Sequence, residues 1–172
     1  MSYLELTDLK AQVKTALSDT ELQAVLDRVE GELTYYLGAP DAASLVEDFV
    51  FEHPSKYLYL KRPISSVTSI IPDYENAPTD TLDSDYYRVI GKEGTIERID
   101  GANWTQDLLV RVTYVPLEQE YLWKRAIIDL VRLDLERPAV DAESIAGEYS
   151  MTAGNFDAKR RAIVRRLSFV TL

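Results

Sequence analysis

The sequence predicts an α+β fold in which a helical body carries a small inserted antiparallel β-sheet. Apolar residues recur at a helical period in the first forty residues and again after Pro116. Between about residues 44 and 116 they alternate as in strands, with turn residues between the runs. We therefore expect a single domain over residues 1–172, with helical parts at 1–40 and 117–172 and a β insertion at 44–116. The helical parts comprise an N-terminal helix pair and C-terminal helices.

Two helices are predicted in the N-terminal part. The first should cover residues 7–17, with Thr7 as its N-cap. Residues 18–21, Ser-Asp-Thr-Glu, have the spacing of a capping box, so a second helix should begin there and reach about Leu37. Gly38 and Pro40 follow in the order usual past a helix end, and they indicate where this helix stops.

Five extended runs are predicted in the insertion, at residues 46–51, 56–60, 67–71, 86–99 and 108–115. The fourth run contains Gly91 and Gly94, so it should fold back on itself as a hairpin. The acidic stretch 73–84 has the composition of a loop. These features together indicate an antiparallel sheet.

Helical spacing returns after Pro116. A third helix is predicted to end before Pro138, because proline disfavours the helical conformation of the residue that precedes it. A last helix is predicted over residues 156–170, with apolar positions on one side and Arg161 and Arg165 on another.

Charge is distributed unevenly along the chain. The last fourteen residues carry five basic side chains and no acid, so the rest carries a net charge of −15 against −10 for the whole chain. Such separation favours docking onto an oppositely charged partner or onto copies of the same chain. The acidic bulk argues against general nucleic-acid binding, which needs a basic surface.

The composition also limits which metal sites the chain can form and in which compartment it is expected to be made. The chain has no cysteine, which excludes disulfides and thiolate metal sites and suits synthesis in the cytoplasm. No apolar run approaches the length of a membrane span, and the first residues do not form a secretory signal.

Sequence motifs offer little support for an enzyme. His53 is the only histidine, and neither a Gly-x-Ser-x-Gly elbow nor a phosphate-binding loop is present. Asp80, Asp83 and Asp85 could bind calcium weakly, but they lack the glycine and final glutamate of an EF-hand loop. We expect no catalytic site, no metal and no cofactor.

Three segments, taken in order, carry a resemblance to a known family. The helix pair ends in Tyr-Tyr-Leu-Gly at residues 35–38, and residues 58–70 have a strand followed by Pro-Ile-x-x-Val-x-x-Ile. Residues 143–150 read Glu-Ser-Ile-Ala-Gly-Glu-Tyr-Ser. The chain resembles the head–tail connector proteins of tailed bacteriophages, also called head-completion adaptors.

The resemblance implies a non-enzymatic structural role in the virion neck. Such proteins form a ring, here expected to be a dodecamer, beneath the portal protein, next to another neck or tail protein. DNA passes through the ring without specific binding. The isolated subunit is expected to be monomeric, because rings of this kind often form only on their template.

The resemblance also implies two contact segments. The portal-docking residues expected from it are Phe156, Lys159, Arg160, Arg161, Arg165, Arg166 and Phe169. The residues expected to contact a neighbouring subunit or the body are Glu143, Ser144, Ile145, Gly147, Tyr149 and Ser150.

Alternative interpretations remain. The chain could be a stopper or tail-completion protein of the neck, although those are dominated by β structure. It could also be a small regulatory module that binds nucleic acid, although no basic recognition helix is visible. The basic C-terminal residues could equally form a solvated helix face.

Overall fold

The computed structural model describes residues 3–105, 108–143 and 153–167, without the side chains of 137–143 and 153–155. These parts contain four helices and two three-stranded antiparallel sheets, which confirms the predicted α+β class. The contacts divide into two compact units. A helical unit contains residues up to Tyr36 and from Gln119 to Leu167, and a β unit contains residues from Leu37 to Glu118.

The helical unit is built from α1 (Leu6–Gln12), α2 (Asp19–Leu37), α3 (Glu120–Glu143) and α4 (Ala153–Val164). α2, α3 and α4 each bury an apolar stripe, as the helical period predicts, and α1 buries Leu9. The buried residues on the other three helices of this unit are Leu22, Leu26, Val29, Leu33, Trp123, Ala126, Ile127, Leu130, Val131, Leu133, Ile163 and Val164.

The capping box that begins α2 is confirmed. The Ser18 backbone N–H donates to the Glu21 carboxylate at 2.8 Å, and the Glu21 N–H donates to Ser18 Oγ at 3.4 Å. Each side chain thus satisfies a backbone donor that the first turn leaves without an intrahelical partner.

The predicted extent of the first helix is wrong. α1 begins at Leu6, after an N-cap Glu5 that makes no side-chain cap, and it ends at Gln12. Val13 is extended and buries its side chain. The Leu17 N–H then bonds Thr15 Oγ at 3.1 Å, and such local side-chain bonds compete with helix formation.

Two further helix boundaries differ from prediction. α3 continues past Pro138 to Glu143, since a proline removes one N–H donor but leaves the good helix formers after it free to continue. α4 begins at Ala153, three residues earlier than predicted, and ends at Val164. The predicted extension to Val170 lies partly outside the described residues.

The β unit contains six strands: β1 (Leu45–Val50), β2 (Tyr57–Tyr59), β3 (Ile64–Ile71), β4 (Tyr87–Ile90), β5 (Thr95–Arg98) and β6 (Leu109–Pro116). They form two sheets of order β1-β6-β3 and β2-β5-β4, where a single sheet was predicted. Periodicity identifies strands but not partners, and β6 pairs with two strands that are distant in sequence. The predicted hairpin is confirmed as β4 and β5.

One apolar core lies between these strands and contains side chains from both sheets. Its buried residues are Leu58, Leu60, Ile64, Ile70, Ile96, Trp104, Val110, Val112 and Tyr114. The two sheets therefore stabilise each other by covering the same apolar surface.

Three charged side chains are also buried in the described part of this unit: Glu47, Arg62 and Glu97, of which Glu97 is paired with Lys56 and Arg88. Glu47 accepts a 2.5 Å hydrogen bond from the Tyr114 hydroxyl and a 3.1 Å bond from the Lys61 backbone N–H. Burial raises the pKa of Glu47, and these donors oppose that rise. The Arg62 guanidinium donates to the carbonyl of Ala39 at 2.9 Å and thereby anchors the segment after α2.

The turn between β4 and β5 packs tightly on the segment between β2 and β3. A Cβ placed on Gly94 would lie 2.8 Å from the Arg62 carbonyl oxygen, and Gly94 has φ +62°. A Cβ on Gly91 would lie 2.5 Å from the Ile64 oxygen. Only glycine allows this approach without displacing backbone.

We predict that Gly94→Ala destabilises the protein more than Gly101→Ala does. Gly101 also has positive φ (+82°), but a Cβ there would have no neighbour within 4 Å. Gly101→Ala should cost about 1 kcal/mol from backbone strain alone. Gly94→Ala should cost about 1–3 kcal/mol more from the steric clash. Urea unfolding of the two variants tests this, and equal losses would contradict the close approach.

We also predict a pH-dependent difference between Glu47→Gln and the wild type. Because the folded pKa of Glu47 is raised, its contribution to stability is fully present below the ordinary pKa and is lost as pH rises through the folded value. Glu47→Gln should therefore gain stability relative to wild type as pH rises from the ordinary glutamate pKa of about 4 through the folded pKa of Glu47. Urea titrations across this range measure it, and a constant difference would count against a buried ionisable Glu47.

Candidate docking surface

The predicted docking residues lie on α4 and the turn that follows it. Lys159, Arg161, Arg165 and Arg166 are exposed, while Phe156 and Arg160 are half-buried. Phe169 lies outside the described residues. Of the predicted subunit-contact segment, Glu143 is the last residue of α3. The other members of that segment are also outside the described residues: Ser144, Ile145, Gly147, Tyr149 and Ser150.

Arg160 connects α4 to two other helices of the same unit. Its Nε donates to Glu32 of α2 at 2.8 Å, and Nη2 donates to the other oxygen of that carboxylate. Nη1 donates to Asp134 of α3 at 2.6 Å, and Arg28 bonds the same Asp134 at 2.9 Å. The hydrogen bond with Glu32, followed by the charge of Asp134, raises the pKa of Arg160. Arg160 is thus structural within this unit.

Arg166 also makes an ion pair with another helix of this unit. Its Nη1 lies 2.8 Å from the Asp129 carboxylate on α3. Two of the five basic residues therefore hold the C-terminal helix against α2 and α3. The sequence does not reveal these pairs, because the three carboxylate partners are 26, 37 and 128 residues away.

The other three basic residues, Lys159, Arg161 and Arg165, form what we call the basic surface. Within the described residues none of them makes an ion pair with a carboxylate. The Lys159 ammonium lies 5.9 Å from the centre of the Phe156 ring, and Arg161 Nε donates to the Asp157 backbone carbonyl at 3.2 Å. The basic surface can therefore form charge-assisted hydrogen bonds with carboxylates of a partner.

A shallow groove adjoins the basic surface between α2 and α4. Tyr36, Val164 and Arg161 line it, together with Glu32 and Arg160. Tyrosine and arginine are enriched where proteins bind one another, because they combine apolar contact area with hydrogen-bonding groups. The combination suits a protein partner.

The described residues give no support for catalytic or metal chemistry. His53 is exposed, and no group of three or more potential metal ligands occurs in the described ranges. Asp83 accepts a hydrogen bond from the Asp85 N–H at 3.0 Å and caps a single turn of 3₁₀ helix over Ser84–Tyr86.

Among the helices that the structure describes, none combines the length and apolar character needed to cross a lipid bilayer.

Comparison with solved structures identifies a shared fold. A chain in a structure titled as the neck of an empty GTA (gene transfer agent) particle, computed with C6 symmetry, superposes with a TM-score of 0.52. The match covers 99% of this chain and 91% of that chain, at 12% sequence identity. At this identity the likeness concerns the fold. No family model matches the sequence, and no curated protein matches it.

We predict that Arg160→Ala destabilises the helical unit while Lys159→Ala does not. Removing Arg160 leaves Glu32 without its two bonds and Asp134, which is only 10% exposed, with Arg28 alone. The expected loss is about 1–3 kcal/mol in the free energy of unfolding, against about 0.5 kcal/mol or less for Lys159→Ala. Urea unfolding of both variants measures the difference, and similar losses would show that the Arg160 network contributes little.

Proposed function

We propose that this protein is a structural, non-enzymatic component of the neck of a tailed-phage-like particle. In this role it acts as the adaptor that forms a ring beneath the portal and connects the DNA-filled head to the tail. The observation that carries the proposal is the fold, shared over almost the whole chain with a chain from the neck of a gene transfer agent particle. The resemblance of its sequence segments to head-completion adaptors supports the same assignment independently.

The basic surface is the proposed contact with the portal. The segment expected to dock comprises residues 156–172. Within it, Lys159, Arg161 and Arg165 direct positive charge outward without a carboxylate partner among the described residues. Arginine binds carboxylates in bidentate geometry, so an acidic surface on the portal is the matching chemistry. Arg160 and Arg166 would position α4 and would not touch the partner.

The remaining proposed contacts follow from the ring. The segment from Glu143 to Ser150 would tie one subunit to the body or to its neighbour. A dodecameric ring is compatible with the C6 symmetry of the neck that shares this fold. The ring would continue the DNA channel and meet a further neck or tail protein below, within the virion. The net charge of −10 suits a bore that does not bind DNA, if acids line it.

Two alternatives are separable from this proposal. A stopper or tail-completion protein would bind another neck protein and ignore the portal. A nucleic-acid-binding module would bind DNA through its cations, with an affinity that falls steeply between low and physiological salt.

We predict that Arg161→Glu with Arg165→Glu abolishes portal binding and leaves the fold intact. Both side chains are exposed, so their reversal should change stability by less than about 0.5 kcal/mol. It replaces attraction to an acidic partner with repulsion. Light scattering and electron microscopy of the protein mixed with its cognate portal measure ring formation on the portal.

A matched control is Lys14→Glu with Lys92→Glu. Both lysines are exposed, and the change in net charge is the same. The control should bind the portal normally, since its reversals lie outside the basic surface. Normal co-assembly by the arginine double variant would refute the assignment of the contact, and failure of the wild type to bind the portal would refute the adaptor role.

A further inference from the structure

Among the described residues, the outer edge of β1 makes no backbone hydrogen bond. β6 lies between β1 and β3, so one edge of its backbone faces β1 and the other faces β3. The Leu109 carbonyl accepts from the Tyr74 N–H at 2.9 Å, and the Leu117 N–H donates to the Pro63 carbonyl at 2.8 Å, both on the β3 side. Backbone groups alternate along an antiparallel strand, so the even-numbered residues of β6 face β1.

This alternation determines which β1 residues face outward. The even residues of β6 are paired with Leu45, Glu47 and Phe49. The N–H and C=O groups of Val46, Asp48 and Val50 therefore point away from the sheet. Within the described residues, none of these three makes a backbone hydrogen bond outside the β1–β6 ladder.

The other edges that the structure describes are partly bonded by the chain itself or are short. At β2, Ser55 Oγ both donates to the Tyr57 carbonyl at 2.7 Å and accepts from the Tyr57 N–H at 3.2 Å. At β3, the Ile70 carbonyl accepts from the Leu82 N–H at 2.7 Å. β4 has only four residues, and a short edge discourages strand addition. Within the described residues, β1 has neither a covering segment nor a lysine or proline.

The side chains on the open strand are apolar or neutralised. Val46 and Val50 are 57% and 65% exposed. Asp48 lies between them and is bound by Arg111 through two hydrogen bonds of 2.7 and 2.6 Å. Arg111 in turn lies over the Tyr74 ring at 3.5 Å. The exposed side chains of β1 are therefore two valines and an aspartate whose charge is neutralised by Arg111. The outward backbone groups of the same three residues carry no net charge.

We infer that the open edge of β1 is an interface at which an extended segment of a second copy of this chain adds to the sheet. A long, exposed, apolar edge is ordinarily avoided in a protein that stays alone. Two copies with a net charge of −10 each repel one another, so they can meet closely only where the surface is locally neutral. A strongly charged partner would find no counter-charge on this edge.

The inference names a surface that the proposed function does not use, since portal docking is assigned to α4. It rests on the proposed function only for the ring in which the copies meet. The two contacts should respond oppositely to salt. Salt screens the repulsion between acidic copies and should strengthen pairing at β1, whereas it should weaken docking of the basic surface.

The test is Val46→Lys with Val50→Lys, compared with Val46→Thr and Val50→Thr. Both pairs keep exposed side chains on an intact strand, but lysine adds charge and threonine does not. Association is measured by sedimentation over a range of protein and salt concentrations, with the protein alone and with the portal. The lysine variant should weaken contact between copies more than about tenfold, while the threonine variant should stay close to wild type.

Amide hydrogen exchange supplies a readout at single residues. In the monomer the N–H groups of Val46, Asp48 and Val50 should exchange rapidly, and in the assembled state they should become protected. The inference would be overturned if the lysine variant assembled like wild type, or if the amides stayed unprotected in the assembled state. It would also be overturned if the wild type stayed monomeric both alone and with the portal. If the copies associate normally but do not bind the portal, the result contradicts the adaptor role and leaves the β1 interface standing.

Discussion

The Arg160 guanidinium is the interaction on which the arrangement of the helical unit and its docking surface depends. It bonds Glu32 on α2 and Asp134 on α3 from a single side chain on α4. A half-buried arginine with two carboxylate partners holds its helix in one orientation, because the planar bidentate contact with Glu32 and the separate bond to Asp134 restrict rotation. That orientation sets Ile163 and Val164 into the apolar core and turns Arg161 and Arg165 outward. The ion-pair network and the outward-facing charges are thus parts of one arrangement.

The β unit combines apolar packing with buried charge. Glu47 and Arg62 would be costly to bury alone, and each is bonded to a group that the fold supplies: the Tyr114 hydroxyl for Glu47 and backbone carbonyls for Arg62. These bonds connect strand β1, strand β6 and the segment after α2. Such polar contacts favour one strand arrangement over others, because another arrangement would leave them unsatisfied.

The two proposed contact surfaces differ in their charge. The basic surface on α4 suits an acidic partner, and the open edge of β1 suits a neutral one. In the proposed ring, acidic chains would need both kinds, since like charges must be kept apart where copies meet.

The sequence alone determined the α+β class, the capping box at Ser18 and Glu21, the glycine turn of the hairpin and the concentration of positive charge at one end. These features depend on residues close together in the chain, where periodicity and capping rules apply. Only the tertiary structure decided that Arg160 and Arg166 are bound internally and that β6 pairs with β1 and β3. These outcomes depend on contacts between distant residues, and a local pattern cannot tell which carboxylate or which strand the folded chain brings near.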